Sequence, residues 1–321
     1  MKKKYFVFSD VHGELAALQN SLRDSGYDKH NPDHILVSIG DNFDRGPESA
    51  GVYDFLMDRK AICIKGNHET FFQEALEKGT DGEFVLFNFL HNGLDKTIES
   101  FGMRTFPQAM RPADLDNTIN FIKDNYGSRL MNWLKDMPLY FETKNYIFVH
   151  AGINPRIDDW KQSGEHFMLW DIEYSHVPCP NTFKTVVIGH HHAFRVRNNI
   201  ERTGYCEDLM RIPWFGCTDD NRPVRIGNKI AIDPCSNLTH QVNVIVIEDE
   251  PLDENAVKEP KDMPVDNSIR IDVNPNFYTH ATIRTTNNRP FTVAYNPTET
   301  VAWPDYQGLW ADAIAATHDE R

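Results

Sequence analysis

"ILVSIGDNFDRG", residues 35–46, runs from an apolar, β-branched stretch directly into two aspartates three positions apart, Asp41 and Asp44, followed by Arg45 and a glycine. A short apolar run bounded by turn residues reads as a buried strand. The same join of strand and polar cluster recurs along the chain. "YFVF" leads into "SDVHGE", with Asp10 and His12. "AICI" leads into "KGNHE", with Asn67, His68 and Glu69. "YIFV" leads into "HAG", with His150, and "TVVI" into "GHHH", with His190, His191 and His192. Ligands of α/β sheets bind outside the carboxyl ends of the strands. Singly, each cluster has a bland explanation: a turn, a helix cap, a core histidine, a solvated loop. Five such strand ends together point to one site.

The frame around these clusters is consistent. Strands at Tyr5–Phe8, Ile35–Ile39 and Ala61–Ile64 alternate with helical spacing at Leu15, Leu18 and Leu22 and again over Ser49–Arg59. Strand, helix, strand, helix, strand implies parallel strands and an α/β core. Residues 69–136 read as mostly helical, broken near Gly79–Gly82 and Pro107–Pro112. Strands return at Tyr146–Val149, Val186–Ile188, Ile230–Ile232 and Val242–Ile247. From residue 249 to 264 the chain is charged and proline-interrupted, a linker composition. Beyond it, "SIRIDV", "ATIRTT" and "FTVAY" are short strand candidates. Residues 265–321 hold many large apolar side chains, Ile269, Ile271, Phe277, Tyr278, Phe291, Tyr295, Trp303, Tyr306, Leu309 and Trp310 among them, and no cysteine, so this segment is expected to pack on the main body of residues 1–248.

Composition narrows the chemistry. A chain of 321 residues with 40% hydrophobic residues can bury a sizeable core. Its net charge of -14 disfavours phosphate-led nucleic-acid binding and anionic membranes. It leaves room for an anionic substrate, because a bound cation reverses the local field. Five cysteines, an odd number without CxxC spacing, suggest a reduced, cytoplasmic protein. No stretch approaches the ~20 apolar residues of a membrane helix.

Carboxylate, amide and imidazole are ligands for harder first-row divalent ions. Six of them exceed what one catalytic ion needs while keeping an open position. Two ions bridged by a carboxylate would bind a phosphoryl oxygen, generate hydroxide near neutral pH and steady an in-line displacement.

"SDVHGE", "GDNFDRG", "GNHE", "HAG" and "IGHH", in this order over residues 4–248, resemble the signature blocks of the phosphoprotein phosphatase family of calcineurin-like metallophosphoesterases. The resemblance is to its bacterial and bacteriophage branch, typified by the lambda phage protein phosphatase. It implies a β-sandwich core flanked by helices over residues 1–248, with a β-containing extension after it. It implies two divalent ions, manganese first, with iron, zinc, nickel or cobalt as alternatives. Asp10 and His12 would bind the first ion, Asp41 would bridge, and Asn67, His150 and His190 would bind the second. His68 would be the general acid, Asp44 the carboxylate that orients it, and Arg45 a clamp on the substrate phosphate.

The chain departs from the pattern in places. Asp171 and Ile172 stand where a second phosphate-binding arginine is sought, leaving Arg156 of "HAGINPR" as its stand-in. Ser9 replaces the commoner Gly of the first block. Residues 195–228 carry an inserted segment, read as a surface elaboration. Asp233 reads as structural, and His191 and His192 take no family role.

The implied activity is a serine/threonine protein phosphatase, extending to tyrosine, acting on phosphoproteins or small phosphoesters. Competing readings are a diadenosine tetraphosphate hydrolase, a nucleotide or nucleic-acid phosphatase, and a non-catalytic binding module. "DRG" and "NHE" favour the phosphatase, and the full ligand set argues against the binding module.

Overall fold

The computed structural model describes residues 2–106, 111–201, 220–252, 271–272, 279–284 and 290–295. The chain divides into two compact units, one of Met1–Arg202 with Cys206–Glu259 and the other of Thr203–Tyr205 with Pro260–Arg321.

Two sheets form the core of the first unit. In one, β1 (Lys3–Phe8), β2 (His34–Ser38) and β3 (Ile62–Cys63) are parallel, in the order β3-β2-β1, as the alternation with helices predicts. β9 (Ile245–Asp249) closes the other edge, antiparallel to β1. The second sheet has β5 (Tyr146–Val149), β6 (Thr185–Ile188) and β8 (Lys229–Ala231) in parallel. It is flanked by antiparallel β4 (Tyr140–Glu142) and β7 (Val224–Ile226).

Side chains alternate faces along a strand, and β1 shows what this does. Tyr5 and Val7 join Val37, Ile39 and Ile64 against Phe148, Val187 and Ile232, so they fill the space between the sheets. Phe6 and Phe8 point the other way, onto Leu18 and Leu22 of α1 (Leu15–Asp24) and Val52 and Leu56 of α2 (Ser49–Asp58). A third cluster packs α3 (Asn67–Lys78), α4 (Val85–His91), α5 (Leu94–Gly102) and α6 (Pro112–Asp136) around Phe43, Phe72 and Phe101. α6 carries a non-helical Gly127, which accounts for a kink in a 25-residue element. α7 (Glu165–Trp170) and α8 (Ala193–Glu201) lie along the chain on either side of β6, and α9 (Ser236–Thr239) follows β8.

The sandwich flanked by helices agrees with the sequence. Strand β9 starts at Ile245, three residues later than expected, and runs one residue into the stretch read as linker. There the Asp249 carboxylate accepts hydrogen bonds from Thr143 Oγ1 (2.6 Å), Asn145 N (2.7 Å) and Asn145 Nδ2 (2.6 Å). The second unit contains an antiparallel sheet of β10 (Ile271–Asp272), β11 (Thr279–Arg284) and β12 (Pro290–Tyr295), in the three stretches read as strands. The remainder of the linker, the packing of the tail and residues 202–219 of the insertion lie outside the described residues. Among the described residues, Cys63, Cys179 and Cys235 are buried. No described helix is long and apolar enough to cross a membrane.

A buried charge ties the second sheet to the turn after α7. Lys229 is fully buried on β8, and its Nζ donates to the Tyr174 carbonyl at 2.6 Å. Burial pushes the Asp171 carboxyl up to about 7, against the nearby Lys229 charge, which pulls it down. Lys229→Met would leave the buried Tyr174 carbonyl without its donor and remove the charge that favours ionised Asp171. It is therefore expected to lose about 1–3 kcal/mol of stability, the cost of a buried acceptor left unsatisfied. The sign of its pH dependence follows from Asp171. A carboxyl raised by folding costs stability increasingly between its unfolded pKa and its folded pKa, and the cost is constant above. Without Lys229 the folded pKa rises past 7, so the cost keeps growing at higher pH. Denaturant melts should show a larger gap from wild type at pH 8.5 than at pH 6.

Candidate metal centre

The five polar clusters meet at the carboxyl ends of β1, β2, β3, β5 and β6, where the parallel strands of both sheets open toward one place. Backbone bonds knit the first clusters together: Asp10 N donates to Gly40 O, His12 N to Asp41 O and Gly13 N to Asn42 O, each at 3.0 Å. Glycine permits this approach. Gly40 has φ +100, and a Cβ there would stand 2.6 Å from His150 Nδ1. At Gly189 a side chain would collide with Ser9 and with Asp10.

Ten described non-glycine residues have positive φ, and six of them are Asp10, His12, Asp41, Asp44, Arg45 and His190. Such backbone is costly for L-residues and collects at functional sites, where the surroundings hold it. The chain thus turns sharply at each strand end and aims these side chains inward.

Asp41 stands at the centre. Its carboxylate belongs to two groups of ligand atoms, each with all atoms within 4.8 Å of one another: Asp41 with His12 and His68, and Asp41 with His150 and His190. His150 Nε2 is 3.4 Å from Asp41 Oδ1 and 2.9 Å from Asn67 Oδ1. Asp10 accepts from the His190 backbone N–H at 3.0 Å and from the Ser9 hydroxyl. Asp10, His12, Asp41, Asn67 and His150 are all buried.

Two imidazoles have their tautomers set by the backbone. His12 Nδ1 faces the Phe43 carbonyl at 2.7 Å, and His150 Nδ1 faces the Ile39 carbonyl at 3.0 Å. A carbonyl only accepts, so each Nδ1 carries the hydrogen and each Nε2 presents a lone pair toward Asp41. Metal-binding histidines are fixed in this way. The donor set, all nitrogen and oxygen, and the orientation of the rings therefore fit divalent cations.

Electrostatics point the same way. Burial raises the Asp10, Asp41 and Asp44 carboxyls well above the usual range, and for Asp10 the neighbouring Asp233 and Asp41 add to it. Burial likewise holds His12, His68 and His190 well below the ordinary imidazole value, with Arg45 adding to this at His12 and His68. Buried carboxylates beside neutral imidazoles favour a bound cation, which compensates the crowded negative charge.

His68 has a further anchor on its other ring nitrogen. Its Nδ1 lies 2.7 Å from Asp44 Oδ2, and Asp44 is fixed by Thr97, which donates from Oγ1 to Oδ1 at 2.5 Å and accepts from Asp44 N at 2.7 Å. Arg45 donates from Nη2 to His68 Nε2 (3.1 Å) and from Nη1 to His12 Nε2 (2.9 Å), so its fork bridges the two rings.

Nine of the ten residues singled out from the sequence come together here. None of these contacts involves Arg156, which is exposed, 3.6 Å from Glu173 and over the ring of Tyr174. Two supporting residues carried no role in the sequence. Glu69 is fully buried, and its carboxylate accepts from Asp41 N (2.9 Å), Asn42 N (2.8 Å) and Gly66 N (2.8 Å), bracing the second cluster against the third. Its place three residues into a helix, after Gly66, is the capping-box signal that marks it. Thr97 sits more than fifty positions from Asp44, with no local pattern to flag it. His191, beside His190, is buried with Nδ1 2.5 Å from Ser175 Oγ.

Comparison with known proteins places this geometry. Residues 3–201 match the family of calcineurin-like phosphoesterases. Serine/threonine-protein phosphatase 2 of Escherichia coli is 43% identical over 82 residues, covering 25% of this chain and 36% of that protein. An asymmetrical bis(5'-nucleosyl)-tetraphosphatase of Oceanobacillus iheyensis is 27% identical over 162 residues, 47% of this chain and 56% of that protein. A solved serine/threonine phosphatase of Saccharomyces cerevisiae is 15% identical with a TM-score of 0.40, covering 78% of this chain and 81% of that one. The chain thus spans between about a third and a little over half of the curated relatives just named. The matches do not single out the bacteriophage branch. With the family match running over more than half of its length, the chain belongs to the calcineurin-like phosphoesterases.

Proposed function

We propose that this chain is a two-metal-dependent phosphomonoesterase that removes phosphate from serine, threonine and tyrosine residues of proteins. The observation that carries the reading is the sharing of Asp41 between two ligand groups, with His68 and its Asp44 partner beside them. Asp10, His12 and Asp41 would hold one cation, and Asp41, Asn67, His150 and His190 the other. Bound divalent cations supply Lewis-acid charge to a phosphoryl group and acidify water.

The side chains do the rest. Asp44 fixes the ring of His68 and stabilises its protonated form, so Nε2 can deliver a proton to the leaving oxygen. The Arg45 fork, already spanning His12 and His68, is placed to take two oxygens of a phosphate. Glu69 and Thr97 keep the two acidic loops in register. "DRG" and "NHE", with Asp44, Arg45 and His68 in these positions, favour a monoester substrate over a dinucleoside polyphosphate.

A panel on the manganese-loaded protein tests this: a phosphopeptide, an aryl phosphate, diadenosine tetraphosphate and a 2′,3′-cyclic nucleotide. Hydrolysis of the first two is expected, with loss after chelation and recovery on adding metal. Faster cleavage of diadenosine tetraphosphate than of both monoesters would replace the reading with that named for the Oceanobacillus relative. Full activity after verified metal removal would overturn the metal requirement.

Arg45→Ala should lower kcat/KM by roughly 10- to 100-fold, the cost of a charge-assisted contact of about 1.5–3 kcal/mol. Inhibition by inorganic phosphate should weaken in parallel, while bound metal stays at wild-type stoichiometry. Unchanged phosphate inhibition would make Arg45 a turn residue.

A further inference from the structure

Three aromatic contacts link the two halves of the site. His68 packs edge-on against Phe71 at 5.1 Å between ring centres, Phe71 meets Trp170 at 5.6 Å, and Trp170 meets His190 edge-on at 6.1 Å. Phe71 is one turn along α3 from His68, on the same helix face. Trp170 ends α7 and leaves 36% of its surface exposed. The two rings line a groove of about 360 Å³ with Phe84, itself 44% exposed.

Charge does not explain this groove. On its rim Lys78 is paired with Glu74 at 3.0 Å, Glu77 with Lys135 at 3.1 Å, and Lys65 donates to Gln73 at 3.2 Å. These cations have neighbouring partners, and with Thr70 and Glu165 they make a polar rim around the rings of Phe71, Phe84 and Trp170, which supply the apolar part of the groove. Large apolar side chains left open beside a polar catalytic cluster mark a binding surface.

We propose that Phe71 and Trp170 form a shelf that receives the leaving group and selects aryl phosphoesters, phosphotyrosine among protein substrates. This rests on the phosphomonoesterase reading, and in particular on His68 as the acid. The group that His68 protonates is the ester oxygen of the leaving side chain, so whatever that oxygen carries lies along the rings packed on His68. Phosphotyrosine carries an aromatic ring there, which stacks edge-on or offset against Phe71 and Trp170. Phosphoserine carries one methylene and leaves the rings uncovered.

The test compares phosphotyrosyl and phosphoseryl forms of one peptide on the full-length, manganese-loaded protein. Wild type, Phe71→Ala, Phe71→Leu and Trp170→Ala are each assayed. A ring pair is worth enough to shift the tyrosine-to-serine ratio of kcat/KM by roughly two- to tenfold. The ratio should fall by that factor in Trp170→Ala and Phe71→Ala, and Phe71→Leu should fall between wild type and alanine. A second arm needs no turnover: calorimetric binding of phenylphosphonate against methylphosphonate. Wild type should prefer the phenyl compound, and Trp170→Ala should lose that preference. An unchanged ratio, an equal fall for both peptides, or no phenyl preference in wild type would overturn the shelf. If wild type hydrolyses neither peptide yet prefers phenylphosphonate, the shelf stands and the monoesterase reading fails.

Discussion

His68→Asn is expected to lower kcat for an alkyl phosphate by ~10²–10⁴-fold, the usual contribution of a positioned general acid, while metal content stays at the wild-type level. The size of the loss should depend on the leaving group. An alkoxide needs its proton in the transition state, whereas a nitrophenolate leaves without one, so the aryl ester should lose much less. The expectation comes from the hydrogen bonds of one ring. Nδ1 is engaged by Asp44 at 2.7 Å, and Thr97 in turn locks Asp44. That arrangement orients Nε2, and the Asp44 carboxylate favours the protonated ring against the burial and the Arg45 charge that hold it below the ordinary imidazole value. The structure also allows another role, because His68 lies within 4.8 Å of ligand atoms of His12 and Asp41. A ligand lost at His68 would slow aryl and alkyl esters equally and would reduce metal stoichiometry. Kinetics with two leaving groups, together with metal analysis, therefore distinguish acid from ligand.

The residues that make this site were legible because each follows a strand whose apolar run is short and bounded. Val7, Val37, Phe148 and Val187 bury into the sandwich and set the direction in which the next residues emerge. What stayed hidden has physical reasons. β4 and β7 are three-residue antiparallel strands at the edges of their sheet, too short to display a period of two. Lys229, in "NKIAID", reads as a solvated lysine, yet it is fully buried because Tyr174, fifty-five positions earlier, supplies a carbonyl. Thr97 and Ser175 act through partners far away in the chain, and sequence spacing cannot report such contacts. Arg156 lay two residues past "HAGIN", close to His150 in sequence, but the chain carries it out to Glu173 at the surface. Proximity in sequence to His150 was a poor guide there, because the loop after β5 turns away within a few residues.

Asp41→Asn should abolish the two-cation site while leaving the fold intact, and this separates ligand from structure more cleanly than any other substitution. The side chains are nearly isosteric. The Asn Oδ1 can still accept from the His68 backbone N–H, as Asp41 Oδ1 does at 3.0 Å. Asp41 is buried, with Glu69 beside it raising its carboxyl further, so without metal its charge is a burden on folding. A neutral amide removes that burden. Metal-free Asp41→Asn should therefore melt at or above the metal-free wild-type temperature. With metal present the order should reverse. A ligand that binds only the folded state raises its stability by mass action, and an amide that carries no charge and cannot bridge as a carboxylate does forfeits most of that gain. Turnover should fall by at least ~10³-fold, since cation charge on a phosphoryl group is worth several kcal/mol and each 1.36 kcal/mol is a factor of ten. Calorimetric titration with manganese should find at most one site per chain, against two for wild type. If the variant binds two ions with wild-type affinity, Asp41 is not the shared ligand, and the bridging role has to move to Asp10, whose carboxylate reaches the His190 backbone from the other side.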